Sequence, residues 1–232
     1  YNELNYKKDS AKPEPEAEYF NAVAPAGKGN VQLHLFPDHS EAILEPGTTL
    51  HVKKGYGTVN REIELLDGMA YFTVQKNAQL PFIVKTPGGL QTKVLGTEFT
   101  VKAYSQLEDV QVMVTSGTVQ VANGTGLLGT LKADQQLSYD QKTHVVTRTE
   151  GKLIDWRKGD LALRNASFAE VARILETRFG LQVEYNKKAV ADYSFTLRIN
   201  KQTTAEEMLE MIKEISGLSY DFGYDKVTIH SY

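Results

Sequence analysis

The sequence predicts a multi-domain chain: an all-β region, built as a sandwich or a short solenoid-like stack, followed by a small α/β region of duplicated βαβ units. Three observations carry this. Apolar residues alternate with polar ones from Val31 to about Arg148 and are punctuated by turn signals. The period lengthens to that of a helix after Trp156. From there one set of signals occurs twice, 37 residues apart, as an internal duplication does.

Residues 1–18 precede the first region. Lys7 to Glu18 (KKDSAKPEPEAE) carries prolines at 13 and 15, mixed charge and little to bury, so it reads as a disordered linker. The all-β region is placed at 19–152. Val31, Leu33 and Leu35 alternate with Gln32 and His34; Ile63 and Leu65 with Glu62 and Glu64. Phe99, Val101 and Ala103 alternate with Thr100, Lys102 and Tyr104, and Val110, Val112 and Val114 repeat the rhythm. Each run predicts a half-buried strand. Pro37-Asp38, Pro46-Gly47, Asp67-Gly68, Pro87-Gly88-Gly89 and Asn123-Gly124 mark turns between strands.

The α/β region is placed at 153–232, with the boundary near Glu150 to Lys158. Ser167 and Glu170 form a capping-box pattern, with Phe168, Val171, Ala172, Leu175 and Phe179 on one helical face and Gly180 as the stop. Leu181 to Tyr185 follows as a strand. Thr204, Glu207, Gly217 and Leu218 to Phe222 repeat that plan. Phe195 to Ile199 and Val227 to Ile229 supply further strands. Both helices are expected to pack on one small sheet.

Composition narrows the function classes. The 232 residues are 41% hydrophobic and 24% charged with a net charge of −3, so no basic field gathers nucleic acid. No cysteine is present, which removes disulfides, thiol catalysis and thiolate metal sites. No apolar run reaches the ~18 residues that span a bilayer. The chain opens on Tyr1 rather than Met, so any membrane anchor is expected upstream of it.

Motifs that suggest chemistry have plainer readings. Gly124 to Gly129 spells GxGxxG, but no helical stripe follows and Asn123-Gly124 signals a hairpin, so nucleotide binding is not expected. His34, His39, His51, His144 and His230 form no metal-ligand spacing, and no metal or cofactor is expected. Glu206, Glu207, Glu210 and Glu214 read as a solvated helix face. Gly96-Thr97 is the one reactive candidate: a Thr hydroxyl beside a strained Gly carbonyl can attack it and shift the acyl group from nitrogen to oxygen. The alternative is a glycine needed for close backbone approach.

The β region resembles the FecR family. Val31 to Leu50 (VQLHLFPDHSEAILEPGTTL), Arg61 to Val74 (REIELLDGMAYFTV), Leu80 to Val84 (LPFIV), Val94 to Val101 (VLGTEFTV) and Val114 to Val121 (VTSGTVQV) match its ordered segments. His39, Met69 and Glu45-Pro46 depart from that pattern. The region from Trp156 to Tyr232 resembles the secretin/TonB short N-terminal-like module that accompanies many FecR domains. The resemblance implies the periplasmic sensor or relay portion of a single-pass inner-membrane anti-sigma factor, with residues 1–18 as its juxtamembrane linker. Its implied partners are the N-terminal signalling domain of a TonB-dependent outer-membrane transducer, periplasmic and intramembrane proteases and, through a cytoplasmic segment outside this sequence, an extracytoplasmic-function sigma factor. It also implies that Gly96-Thr97 matches the position at which some members cleave themselves; no other catalytic role is expected. A small sheet with open borders can recruit a partner strand, so Leu181, Val183 and Tyr185, or Val227 and Ile229, are the expected partner-binding residues. Two other readings remain. A β-rich carbohydrate-binding or glycan-handling module would expose aromatics such as Tyr71 and Tyr104 on one face. A hydrolase would gather paired acids with shifted pKa values in a cleft.

Overall fold

A computed structural model of the chain describes residues 19–24, 31–151 and 156–230; the linker expected over 1–18 lies outside them. The β region runs through β1 (Tyr19–Val23), β2 (Gln32–Leu35), β3 (Glu41–Leu44), β4 (Thr49–Lys53), β5 (Arg61–Thr73), β6 (Phe82–Lys85), β7 (Gln91–Val94), β8 (Glu98–Ala103), β9 (Asp109–Ser116), β10 (Thr118–Asn123), β11 (Gly126–Lys132), β12 (Gln135–Asp140) and β13 (Val146–Glu150).

Strand β5 organises these strands. Its first half pairs with β4 and, in parallel, with β6; its second half pairs with β3 and β8. One hydrophobic cluster draws on both sets of strands, including Leu50, Ile63, Phe82, Phe72, Phe99 and Val112. That is sandwich packing, with β5 shared by the two sheets. Asp67-Gly68, expected to be a turn, lies inside this 13-residue strand. Gly68 has φ +109°, and a Cβ there would sit 2.6 Å from Thr48 Cα. The glycine lets one strand bend between two sheets instead of ending it.

β2 presents the opposite face to the core from the one its alternation predicts. The alternation predicts Leu33 and Leu35 inside, but they are 55% and 63% exposed. The adjoining turn decides this. Phe36 N–H bonds to the Ser40 carbonyl and His39 N–H to that of Phe36, which seats Phe36 in the core. Period two then turns His34 and Gln32 to the inner face and the two leucines outward. His39 takes φ +63°, the left-handed conformation that glycine adopts most easily. The GxGxxG run forms the β10–β11 hairpin and the strand after it, with Asn123 opposite Gly126.

The second region comprises β14 (Leu161–Ser167), α1 (Phe168–Phe179), β15 (Gln182–Glu184), β16 (Ser194–Ile199), α2 (Ala205–Ser216), β17 (Ser219–Phe222) and β18 (Lys226–His230). Both helices begin at the expected caps, Ser167 and Thr204, and stop at Gly180 and Gly217 in left-handed conformation. Their apolar faces share a cluster of their own, separate from the sandwich core.

The single small sheet is not what forms. β14 pairs with β16, while β15 lies parallel to β18 and β18 antiparallel to β17. Each helix therefore links strands of different sheets. The tight connection after β17, closed by the Gly223 N–H to the Lys226 carbonyl, folds β18 back beside β17. β18 then occupies the place next to β15 that β14 would fill in a βαβ unit.

Candidate functional site

The polar positions of β8 and the residue after it start the site. Thr100, Lys102 and Tyr104 stand opposite the core-facing Phe99, Val101 and Ala103, where alternation predicts solvent. All three are buried, because the second region docks on that face. Lys102 Nζ lies 2.7 Å from Glu170 Oε1 at the start of α1. Arg173, one turn on, donates through Nη2 to the Asp67 carboxylate and, at 3.2 Å, to the Gly47 carbonyl. Its Nε is buried without a hydrogen-bond partner among the described residues. The Tyr104 hydroxyl donates to Glu45. Beside them the Arg157 guanidinium sits 3.7 Å from the centre of the Tyr71 ring.

Sequence reasoning assigned Glu170 to a capping box. Ser167 does accept from the Glu170 N–H at 3.3 Å. The reciprocal bond forms only in α2, where Glu207 accepts from the Thr204 N–H at 2.8 Å. In α1 the Glu170 carboxylate is drawn to Lys102 instead, since an opposite charge in a low-dielectric seam outbids a neutral N–H donor.

The seam perturbs Glu45. Burial pushes its pKa up to about 7, against the pull of the Tyr104 hydroxyl, Lys102 and Arg173, while Glu170 adds to the rise. Burial and the adjoining Glu45 also drive Tyr104 far above its ordinary value. Glu45 lines a small hollow with Trp156 and Arg178, whereas Glu170 and Glu150 line a separate, larger cavity, so the acid whose pKa is raised shares its space with no second acid. Tyr71 and Tyr104, which a glycan-binding face would expose, are buried in the seam.

The expected site residues are scattered. Gly96 and Thr97 lie between β7 and β8. A Cβ on Gly96 would meet Lys76 Cα at 2.8 Å, which accounts for the glycine by close approach alone. Thr97 is buried, and its hydroxyl donates to the Thr118 carbonyl at 3.0 Å, an acceptor too weakly basic to activate it. Leu181 is buried just before β15; Val183 and Tyr185 pack partly buried against the second core. Val227 and Ile229 do not form a border. β18 is the central strand, paired on both sides, and both side chains are buried. The far side of β15 carries no paired strand among the described residues. The seam itself escaped the sequence reading. Its one signal was the departure at Glu45-Pro46, since Lys102 and Tyr104 look like ordinary outward residues of a half-buried strand.

Comparisons with known proteins fit both regions. A family model described as FecR protein matches residues 23–120, and one described as FecR, C-terminal matches 160–229. Two crystal structures of a candidate anti-sigma factor from Parabacteroides distasonis ATCC 8503 superpose with TM-scores of 0.82 and 0.81 at 22% identity. They cover 93% and 92% of this chain and 100% and 99% of their own. At that identity the likeness speaks for the fold. No match is found among curated proteins.

Proposed function

The chain belongs to the FecR family of anti-sigma factors, and from that premise we propose that it is the periplasmic sensor or relay portion of a membrane-anchored regulator. No helix among the described residues is long and apolar enough to cross a membrane, so in this reading the anchor and the sigma-binding segment lie outside the sequence. The signal comes from the N-terminal signalling domain of a TonB-dependent outer-membrane transducer, and the output is control of an extracytoplasmic-function sigma factor after stepwise proteolysis. In this reading its two domains are the β region, residues 19–152, and a secretin/TonB short N-terminal-like α/β module, residues 153–232.

The observation that carries this reading is the border of β15, unpaired among the described residues, on a module clamped to the sandwich by one buried and one half-buried ion pair. A strand added there is held by main-chain bonds, and the clamp transmits its position to the β region. The Gln182 N–H bonds inward to the Asp225 carbonyl at 2.7 Å, so by alternation the Val183 N–H faces outward. Val183→Pro removes that outward donor and leaves the inner ladder intact. The test is an NMR titration with the signalling domain of the genetically adjacent transducer. We expect shifts along β15 that Val183→Pro abolishes; unchanged binding by the variant would exonerate this border.

A further inference from the structure

A cavity of about 160 Å³ lies between the sandwich and the second region. It is far larger than the ~10–15 Å³ that admits one water. Lys102, Met113 and Gln136 line it from β8, β9 and β12; Leu163 and Glu170 from β14 and α1; Trp156 from the connection between the regions. Ligand sites favour such junctions, where two units supply facing walls.

The chemistry of the walls narrows what fits. Lys102 and Glu170 are only 7% and 9% exposed. An ammonium has three donors, and Lys102 gives one to Glu170 Oε1. Among the described residues, Glu170 Oε2 and the Gln136 amide oxygen have no protein partner. The cavity thus offers spare donors and acceptors side by side at zero net charge. Arg164 and Glu150 line the cavity from exposed positions and balance each other as Lys102 and Glu170 do, so a charged ligand would bring an uncompensated charge against walls of zero net formal charge. A hydrocarbon would strand the remaining donors and acceptors. Hydroxyl groups both donate and accept, and so satisfy such a mixed wall. Met113, Leu163 and the Trp156 ring supply an apolar surface for the C–H face of a ring.

We propose that this cavity binds a small neutral polyhydroxylated ring, a monosaccharide-sized sugar, held edge-on by Lys102, Glu170 and Gln136. The inference is independent of the transducer reading. It differs from an exposed stacking platform because the ligand is enclosed between two regions. An occupant touches both regions and so braces the seam.

Trp156, the chain's one tryptophan, lines this cavity and also the small hollow at Glu45, so its fluorescence reports on the seam and the two cavity variants assign the response. The whole chain is titrated with glucose, galactose, mannose and N-acetylglucosamine, each to about 100 mM, which covers even millimolar affinity. Glucosamine and glucuronate serve as charged counterparts. At least one neutral sugar is expected to give a saturable change and to raise the melting temperature, and glucosamine and glucuronate to bind at least about tenfold more weakly than it does. Gln136→Leu removes an acceptor and Met113→Phe fills space, both without touching the ion pair; each is expected to weaken binding about tenfold or more while the fold, checked by circular dichroism, persists. No saturable response from any of the four sugars overturns the proposal. So does a response that both folded variants retain unchanged, or one equally strong for the charged counterparts.

Discussion

Arg61 and Lys102 are buried cations on neighbouring strands of one sandwich, yet they are held in different ways. Arg61 is 1% exposed and meets Asp38 at 3.1 Å together with the carbonyls of Leu80, Gln75 and Asn77, all within the sandwich. Its guanidinium supplies donors that the irregular segment between β5 and β6 would otherwise lack. Lys102 has one carboxylate partner, Glu170, and that partner arrives only when the second region docks. The first site is complete inside one region. The second is complete only between two, and it retains unused donors and acceptors. A charge saturated within its own region acts as structure; a charge satisfied across a seam makes docking conditional and leaves chemistry to spare.

Substitutions can break or sharpen this contrast. The largest effect is expected from Arg61→Leu, which strands Asp38 and three carbonyls and should cost about 3–5 kcal/mol in denaturant unfolding. A cost below about 1 kcal/mol would remove the distinction. Lys102→Met should cost about 2 kcal/mol, and hydrogen exchange should rise in α1 more than around Arg61. Pairing it with Glu170→Leu should recover most of the loss, because the stranded charge disappears.

The two sites should also respond oppositely to pH. Glu45 has a folded pKa raised to about 7, so the folded state holds its proton longer than the unfolded chain does. The associated stability is full below the ordinary carboxylate pKa and is lost as pH rises through about 7. Protection factors in α1, which divide out the base-catalysed rise in intrinsic exchange, should therefore fall between about pH 5 and pH 8, and Glu45→Gln should flatten that fall. At Asp38 burial pushes the pKa up, but the Ser40 N–H, Arg61, the Ser40 hydroxyl and Tyr56 outweigh it and hold it below the ordinary value. Its contribution is present above the ordinary carboxylate range and fades as pH falls through the folded pKa. Acid should loosen the Arg61 site first, and a rising pH the seam.

Smaller effects belong to residues outside both clusters. Thr97→Ala should cost about 1 kcal/mol through the lost bond to Thr118. The unaltered chain should stay intact by mass spectrometry on prolonged incubation; fragments ending at Gly96 that Thr97→Ala abolishes would establish the acyl shift instead. His39→Gly relieves a left-handed side-chain residue beside the Asp38 turn and should raise stability by about 0.5 kcal/mol, net of the greater freedom glycine has when unfolded.

Much was determined by sequence alone. Period two placed most strands of the sandwich, and Ser167, Thr204, Gly180 and Gly217 marked both helices, because caps and turns act through neighbouring residues. The ordered motifs from Val31 to Val121 carried the FecR resemblance. What depends on distant partners had no local trace. Phe36 took the inner face and turned Leu33 and Leu35 outward. Gly68 carried β5 through an expected turn, and β18 moved to the middle of its sheet. Glu170 left its capping role for a lysine 68 residues away. A periodic pattern reports which face of a strand is apolar; it cannot report that a second region will cover the polar face. That was decided only in three dimensions, where Lys102 and Tyr104 became buried because charges from another part of the chain made burial tolerable.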